Sequence, residues 1–138
     1  MATPLVFVYG TLRRLHGREL HALLAHHARF EGEGSVQAKL FNLGDYPGLV
    51  RSANPSDRVL GEVYRLEPSH LSETLREMDE YEGIGPSYPV PQEYRREVVA
   101  VQLAEGSAAD AWVYVFNGEP LGCPRILSGD YMEWRASH

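Results

Sequence analysis

The sequence predicts an α+β protein with a mostly antiparallel, barrel-like sheet and two or three helices. Short runs rich in β-branched and aromatic residues indicate several strands. These runs do not alternate regularly with helices, as the strands of a parallel sheet do. The last two are separated only by the turn Glu105-Gly106-Ser107, which favours a hairpin. Because 138 residues suit one hydrophobic core, we expect a single domain over residues 1–138.

The first predicted strand is the run Leu5-Val6-Phe7-Val8, whose continuous apolar character is typical of a fully buried strand. Tyr9-Gly10-Thr11 ends it. Gly10 lets a ligand approach the backbone closely, and a turn that exposes consecutive N–H groups binds anions. The strand is therefore predicted to end in a polar pocket. An ordinary strand followed by an ordinary turn remains the alternative from these residues alone.

Further strands are indicated by the same composition. Gly61 interrupts one of them and predicts either a β-bulge or a close backbone approach. The last one reads Ala-Trp-Val-Tyr-Val-Phe, is apolar on both faces, and should therefore lie inside the sheet. The predicted strands after the first are residues 36–43, 49–50, 59–66, 96–103 and 110–116.

Three segments have helical patterns. Leucines recur at helical spacing within residues 18–30, and Glu31-Gly32-Glu33-Gly34 ends that segment. A second helix follows Pro68, which suits a first turn, and carries an apolar stripe of two leucines and one methionine between residues 71 and 78. A short third helix is predicted over residues 131–136, after the starting signal Ser128-Gly129-Asp130.

Composition excludes several classes of function. The net charge of −6 gives no basic footprint, so we expect no nucleic-acid partner. No apolar run approaches the ~18 residues of a membrane span, and the first residues lack a signal-peptide pattern. Cys123 is the single cysteine, with no adjacent base, and is interpreted as a passive thiol. His21, His26 and His27 lack the spacing of a zinc helix, so no metal is expected. These features together predict a cytoplasmic protein.

Glu82 is the catalytic candidate that physical reasoning selects. At ~100° per residue it lies only ~20° from the apolar stripe of the second helix, near the helix C-terminus. Burial and the negative end of the helix dipole both raise the pKa of a carboxyl group, toward the range useful for acid–base catalysis. The alternative is that the helix ends before Glu82 and leaves its side chain in solvent. Asp79 and Glu80 are rotated off the stripe and are assigned capping or surface roles, with Asp79 a possible support for the following loop.

Five motifs occur in an order that resembles the γ-glutamylcyclotransferase-like family, especially its γ-glutamylamine cyclotransferase and avirulence-induced branch. The resemblance covers roughly residues 4–135, and Met78 stands where the family usually has leucine. The loop at residues 84–92 is longer than in compact members of the family. The motifs are Tyr9-Gly10-Thr11-Leu12, Gly44-Asp45-Tyr46-Pro47-Gly48, Gly61-Glu62-Val63-Tyr64, Met78-Asp79-Glu80-Tyr81-Glu82-Gly83 and Tyr94-Arg95-Arg96.

The resemblance implies an enzyme that releases 5-oxoproline and an amine from a small γ-glutamyl amine or peptide. Tyr9, Gly10, Thr11 and Leu12 would bind the glutamyl end, and Glu82 would be the general acid and base. It implies no cofactor, no metal, and a monomer or weak homodimer without a membrane or nucleic-acid partner. Tyr114, on the last strand, is interpreted either as a wall of the pocket or as a core aromatic.

Two other functions remain open from the sequence. One is a non-catalytic protein that binds a γ-glutamyl-like metabolite. The other is an interaction module in which the pocket is vestigial. An open polar cavity that joins Gly10, Thr11 and Glu82 would favour a ligand-binding role over this last function.

Overall fold

A computed structural model of the chain describes residues 3–10, 28–44, 46–86 and 88–137. Six strands and two α-helices lie within these residues. A 3-10 turn at Pro68–His70 directly precedes the first of these helices. The elements in chain order are β1 (Leu5–Val8), β2 (Ala28–Asn42), β3 (Pro47–Arg51), β4 (Arg58–Leu66), α1 (Leu71–Tyr81), β5 (Tyr94–Leu103), β6 (Ala108–Phe116) and α2 (Tyr131–Ser137).

The strands form one sheet in the order β3-β2-β4-β1-β6-β5, and an additional pairing of β2 with β5 closes five of them into a barrel. The predicted α+β, barrel-like fold is therefore confirmed. The sheet is mixed, because β1 and β6 run parallel while the other pairs are antiparallel. The predicted hairpin is β5–β6, and β6 lies between β1 and β5, as its two apolar faces indicated.

The β2 strand corrects two expectations from the sequence. Residues 28–30 were predicted to end a helix and residues 31–34 to terminate it, but both are part of β2. Pairing with β4 from Ala28 to Gln37 overrides the local pattern, and a register shift between Phe30 and Gly32 leaves Glu31 as an extra residue in β2. Residues 18–27, the rest of the predicted helix, lie outside the described residues.

Two hydrophobic clusters share the sheet as a common wall. Successive residues of a strand point to opposite faces, so β1 contributes to both clusters. Phe7 lies inside the barrel, whereas Val6 and Val8 face α1. All four β1 residues are buried, as predicted. The cluster beneath α1 contains Val6, Val8, Tyr64, Leu66, Leu75, Met78, Tyr94 and Tyr114.

Helix α1 ends in a hydrogen-bonding pattern that fixes the residue after it. Gly83 has a positive φ of 79°, which glycine adopts without steric cost. Its N–H donates to the Glu80 carbonyl oxygen at 3.1 Å, and the Ile84 N–H donates to that of Asp79 at 2.8 Å. This is a Schellman motif, with Gly83 at the C′ position that the sequence predicted. It places Glu82 at the C-cap, against the sheet side of the helix.

The short α2 helix packs against the barrel through Tyr131, which is buried in the interior cluster. Asp130 caps the helix, since its Oδ1 accepts hydrogen bonds from the N–H groups of Met132 and Glu133. Within the described part of the chain, neither α-helix is long and apolar enough to span a membrane.

Candidate active site

Tyr9 lies at the end of β1 and joins three strands. It is only 6% exposed. Its hydroxyl donates to the main-chain oxygen of Tyr114 in β6 at 2.6 Å and accepts from the N–H of Leu49 in β3 at 3.3 Å. The end of β1 is therefore held rigidly between β3 and β6.

Gly10 follows Tyr9 and has a close neighbour within the protein itself. A Cβ atom at this position would lie 2.9 Å from Cγ of Pro47, the first residue of β3. The side chain of Pro47 therefore lies close to Gly10, and the predicted approach of a ligand to the Gly10 backbone stays a prediction. Thr11 and Leu12, the other two predicted binding residues, lie outside the described residues.

The Glu82 side chain lies half-buried beside the sheet. Helix α1 does end one residue earlier, as the alternative interpretation required, but the Glu82 N–H still donates to the Met78 carbonyl oxygen at 3.0 Å. Loss of hydration raises the pKa of Glu82 to about 7, and the nearby charges of Asp79 and Glu93 contribute to the rise. A carboxyl group with this pKa is suited to exchange a proton near neutral pH, and the catalytic role of Glu82 stays a prediction.

Three tyrosines surround Glu82 closely enough to feel its charge. Burial raises the pKa of Tyr9, Tyr94 and Tyr114, and the charge of Glu82 adds to the rise at each. All three hydroxyls therefore stay protonated at neutral pH and remain hydrogen-bond donors. The charge of Glu82 thus reaches Tyr9, and the expected approach of the Glu82 carboxylate to the turn from Tyr9 to Leu12 stays a prediction.

Asp79 corrects the expectation that it is a surface or capping residue. Its side chain is only 17% exposed, and it forms an ion pair with Arg96 at 2.7 Å. The Tyr114 hydroxyl donates to the same carboxylate at 2.8 Å. Asp79 lies beside the apolar stripe of α1, where the side chains of Arg96 from β5 and Tyr114 from β6 reach it. Its main-chain oxygen also accepts from Ile84, in agreement with the suggested support of the loop.

Of the two interpretations of Tyr114, the structure supports the core aromatic, while a role as a wall of the pocket stays a prediction. Its ring is buried in the cluster beneath α1, as a core aromatic would be, and its hydroxyl reaches the polar group around Asp79. Tyr94, in contrast, belongs to one of the five motifs, but the sequence analysis assigned it no role. Its hydroxyl donates to the Pro47 carbonyl oxygen at 2.5 Å. The period-two spacing of Tyr94 and Arg96 was the signal that both side chains point to the α1 side of β5.

An open cavity of about 440 Å³ adjoins this group of residues. It is lined by Asp79 and Tyr94 from the site and by Ile84, Pro91 and Gln92 from the loop at residues 84–92. Neither Gly10 nor Glu82 lines it, so the cavity expected to join them stays a prediction. Among the described residues, no group of three His, Cys, Asp or Glu side chains is arranged to hold a metal ion.

Comparisons with known proteins agree with this geometry. The family described as "Gamma-glutamyl cyclotransferase, AIG2-like" matches residues 6–133. The gamma-glutamylcyclotransferase family protein YtfP of Escherichia coli (strain K12) is 33% identical over 129 residues, which are 93% of this chain and 96% of YtfP.

Solved structures show the same fold. An aig2-like protein from Mus musculus superposes with a TM-score of 0.68 at 26% identity, over 95% of this chain and 89% of the mouse chain. The solution structure of YtfP from E. coli gives a TM-score of 0.63 at 31% identity, over 95% of this chain and 98% of YtfP. The resemblance identified from the ordered motifs is confirmed, and the chain belongs to the gamma-glutamyl cyclotransferase, AIG2-like family.

Proposed function

We propose that the protein is a γ-glutamylcyclotransferase-type enzyme that releases 5-oxoproline and an amine from a small γ-glutamyl amine or peptide. The observation that carries the proposal is the half-buried Glu82 carboxyl group, whose pKa is raised to about 7 and whose charge contributes to the raised pKa values of Tyr9, Tyr94 and Tyr114. A group with such a pKa is suited both to accept and to donate a proton at neutral pH. Membership of the family supports this kind of activity.

The reaction is an intramolecular acyl transfer. The α-amino nitrogen of the γ-glutamyl group attacks the side-chain carbonyl carbon, and a tetrahedral intermediate forms. The bond to the leaving nitrogen then breaks, giving the five-membered lactam 5-oxoproline and a free amine. Because nucleophile and carbonyl belong to one molecule, a binding site that holds the chain in a folded conformation supplies a large part of the rate.

Glu82 both accepts and donates a proton in this scheme. As the carboxylate it accepts the proton that the α-ammonium must lose before attack. As the carboxylic acid it returns that proton to the departing amine, so the enzyme ends in its starting protonation state. The second proton that the attacking nitrogen loses as the lactam forms goes to solvent. The strand-end turn of Tyr9, Gly10, Thr11 and Leu12 would hold the glutamyl end through backbone N–H groups, which also suit a developing oxyanion. No step of this reaction requires a cofactor.

The test is a screen of γ-glutamyl compounds for 5-oxoproline release by the purified protein. The panel contains γ-glutamyl amino acids, γ-glutamyl dipeptides and γ-glutamyl amine conjugates, and the released lactam is measured by chromatography. For a responsive substrate we expect the rate to rise as pH increases through about 7, where Glu82 becomes the carboxylate. Binding of a panel member without any release of 5-oxoproline would instead identify a metabolite-binding protein.

Replacement of Gly10 with Val tests the role of the turn. We expect the dissociation constant of a responsive γ-glutamyl compound to rise at least roughly tenfold, because the added side chain occupies the space where the backbone meets the ligand. Contact of the new side chain with Pro47 lowers the stability as well. We expect this loss in the free energy of unfolding to be smaller than the loss in the free energy of binding. Calorimetry for binding and thermal unfolding for stability give the two numbers. Unchanged affinity would show that the turn is purely structural.

A further inference from the structure

Asp79, Arg96 and Tyr114 form a partly buried hydrogen-bonded network one helical turn from Glu82. Arg96 donates from Nε to Oδ1 of Asp79 at 2.7 Å and from Nη2 to Oδ2 at 3.1 Å. Tyr114 donates to Oδ1 at 2.8 Å. A two-point contact of this kind fixes the orientation of a carboxylate as well as its position. The Asp79 and Arg96 side chains are only 17% and 23% exposed, so solvent screens their interaction weakly.

The two partners of Asp79 are themselves held in register. Arg96 in β5 lies directly opposite Tyr114 in β6, as one residue pair of the antiparallel hairpin. The Arg96 guanidinium also lies over the Trp112 ring, 4.4 Å from the ring centroid. Both donors therefore originate from rigid strands, and Asp79 is the point at which α1 is attached to them.

The network continues on both sides of Asp79 toward the proposed catalytic group. On the helix side, the Asp79 main-chain oxygen accepts the N–H of Ile84 and so closes the turn that contains Glu82. On the sheet side, the main-chain oxygen of Tyr114 accepts the hydroxyl of Tyr9. The turn that contains Glu82 and the end of β1 are thus both attached, through main-chain oxygens, to the two residues that the Tyr114–Asp79 hydrogen bond joins.

We propose that Asp79 is a positioning residue: held by Arg96 and Tyr114, it fixes the last turn of α1 against β5 and β6 and so sets the place of the Glu82 carboxyl relative to the end of β1. This inference rests on the function proposed above, because it assigns Asp79 a part in that reaction. The residue does not touch the substrate. It acts through Glu82.

The charges around Glu82 give the inference a measurable signature. Asp79 from α1 and Glu93 from the segment before β5 are the carboxylates that raise the pKa of Glu82. Its charge also acts on the protonated hydroxyls of Tyr9, which follows β1, of Tyr94 in β5 and of Tyr114 in β6, and Arg96 is paired with Asp79. Removing the charge of Asp79 removes a repulsion, so Glu82 should lose its proton at a lower pH than in the parent protein.

The test replaces Asp79 with Asn, which keeps the shape of the side chain. We expect kcat for 5-oxoproline release to fall roughly 10- to 100-fold, the scale of a small misplacement of a catalytic group, with KM little changed. The rise of kcat with pH should begin at lower pH. Tyr114→Phe removes one hydrogen bond to Asp79 without changing any charge, so it should lower kcat without a comparable shift of the pH profile.

The matched control is Glu80→Gln. It removes the same charge from the neighbouring position of the same helix, but the Glu80 side chain is exposed. We expect parental kcat, KM and pH profile for this variant. A response equal to that of Asp79→Asn would mean that any charge on the helix end has this effect, and would overturn the proposal.

A second readout does not depend on catalysis. The Glu82 carboxyl carbon is titrated by NMR in protein labelled at glutamate side chains, and its signal is assigned by its absence from Glu82→Gln. A lower titration midpoint in Asp79→Asn than in the parent supports the proposal, and an unchanged midpoint together with parental kcat overturns it. Should the parent release no 5-oxoproline, the proposed function fails, while the midpoint still decides whether Asp79 controls Glu82.

Discussion

Glu82→Gln is expected to lower the release of 5-oxoproline by roughly 10²–10⁴, the usual scale of general acid–base catalysis. Glutamine matches glutamate in size and shape but exchanges no proton at neutral pH. The variant therefore lacks the group that accepts the proton in the first transfer and donates it in the second. Binding of a γ-glutamyl compound should persist to within roughly tenfold, because the strand-end turn is unchanged. Initial rates and dissociation constants for one responsive substrate provide the comparison, with Glu80→Gln as the control.

The same variant should be more stable than the parent in alkaline solution. The pKa of Glu82 is raised from its ordinary value of 4.5 to about 7 in the folded protein. The stability that this group contributes is therefore fully present below its ordinary pKa and is lost as pH rises through about 7. At pH 8 the ionised carboxyl should cost the parent up to about 3 kcal/mol, a cost that glutamine does not incur.

Urea unfolding at pH 5 and pH 8 measures this difference. The free energy of unfolding of Glu82→Gln should exceed that of the parent by more at pH 8 than at pH 5. A parental rate of 5-oxoproline release in this variant would show that Glu82 is not the acid–base group. An equal stability difference at the two pH values would show that Glu82 is ionised as easily as in water.

Glu82 could be selected from the sequence because the pattern of neighbouring residues was sufficient. Its angle on α1 and the following glycine are both properties of adjacent residues, and the Schellman motif keeps the side chain on the sheet side although the helix ends at Tyr81. Asp79 could not be selected in this way. Its partners come from two other strands, and only the opposition of Arg96 and Tyr114 in the β5–β6 hairpin shows that both reach the same carboxylate.

The strand topology shows the same difference between local and long-range interactions. The β5–β6 hairpin joins segments that are close in sequence and was predicted, whereas the parallel pairing of β1 with β6 joins segments about a hundred residues apart. The beginning of β2 is a further case, because its strand conformation depends on the ladder to β4 rather than on its own residues. Long-range pairing thus determines the parts of the fold and the site that the local pattern misses.

Gly61→Ala is expected to be among the most destabilising single substitutions in the described part of the chain. Gly61 lies in β4 beside β1, and a Cβ atom there would lie 2.3 Å from the Val8 carbonyl oxygen and 2.6 Å from Cζ of Phe7. Of the two interpretations of this glycine, the close backbone approach is therefore the one found. Phe7 is fully buried inside the barrel, so neither neighbour has room to move.

The expected loss is roughly 3 kcal/mol in the free energy of unfolding, at the upper end of the usual cost of overpacking, since one of the two clashing atoms belongs to the backbone. Gly118→Ala is the matched control, because its added Cβ would have only ordinary contacts of 3.6 Å and 3.9 Å with the Phe116 ring. That control should stay within about 0.5 kcal/mol of the parent. Chemical denaturation of the three proteins at one pH gives the comparison.

The substitution should also affect the site, because relief of the clash requires β1 to move away from β4. Val8 immediately precedes Tyr9, whose hydroxyl links β1 to β6 and β3. Displacement of β1 would therefore lengthen these hydrogen bonds and move Tyr9 relative to Glu82. The fraction of Gly61→Ala that remains folded should release 5-oxoproline more slowly than the parent, per folded molecule. If Gly61→Ala is as stable and as active as Gly118→Ala, β1 is free to shift without cost, and the rigid placement of Tyr9 described above is wrong.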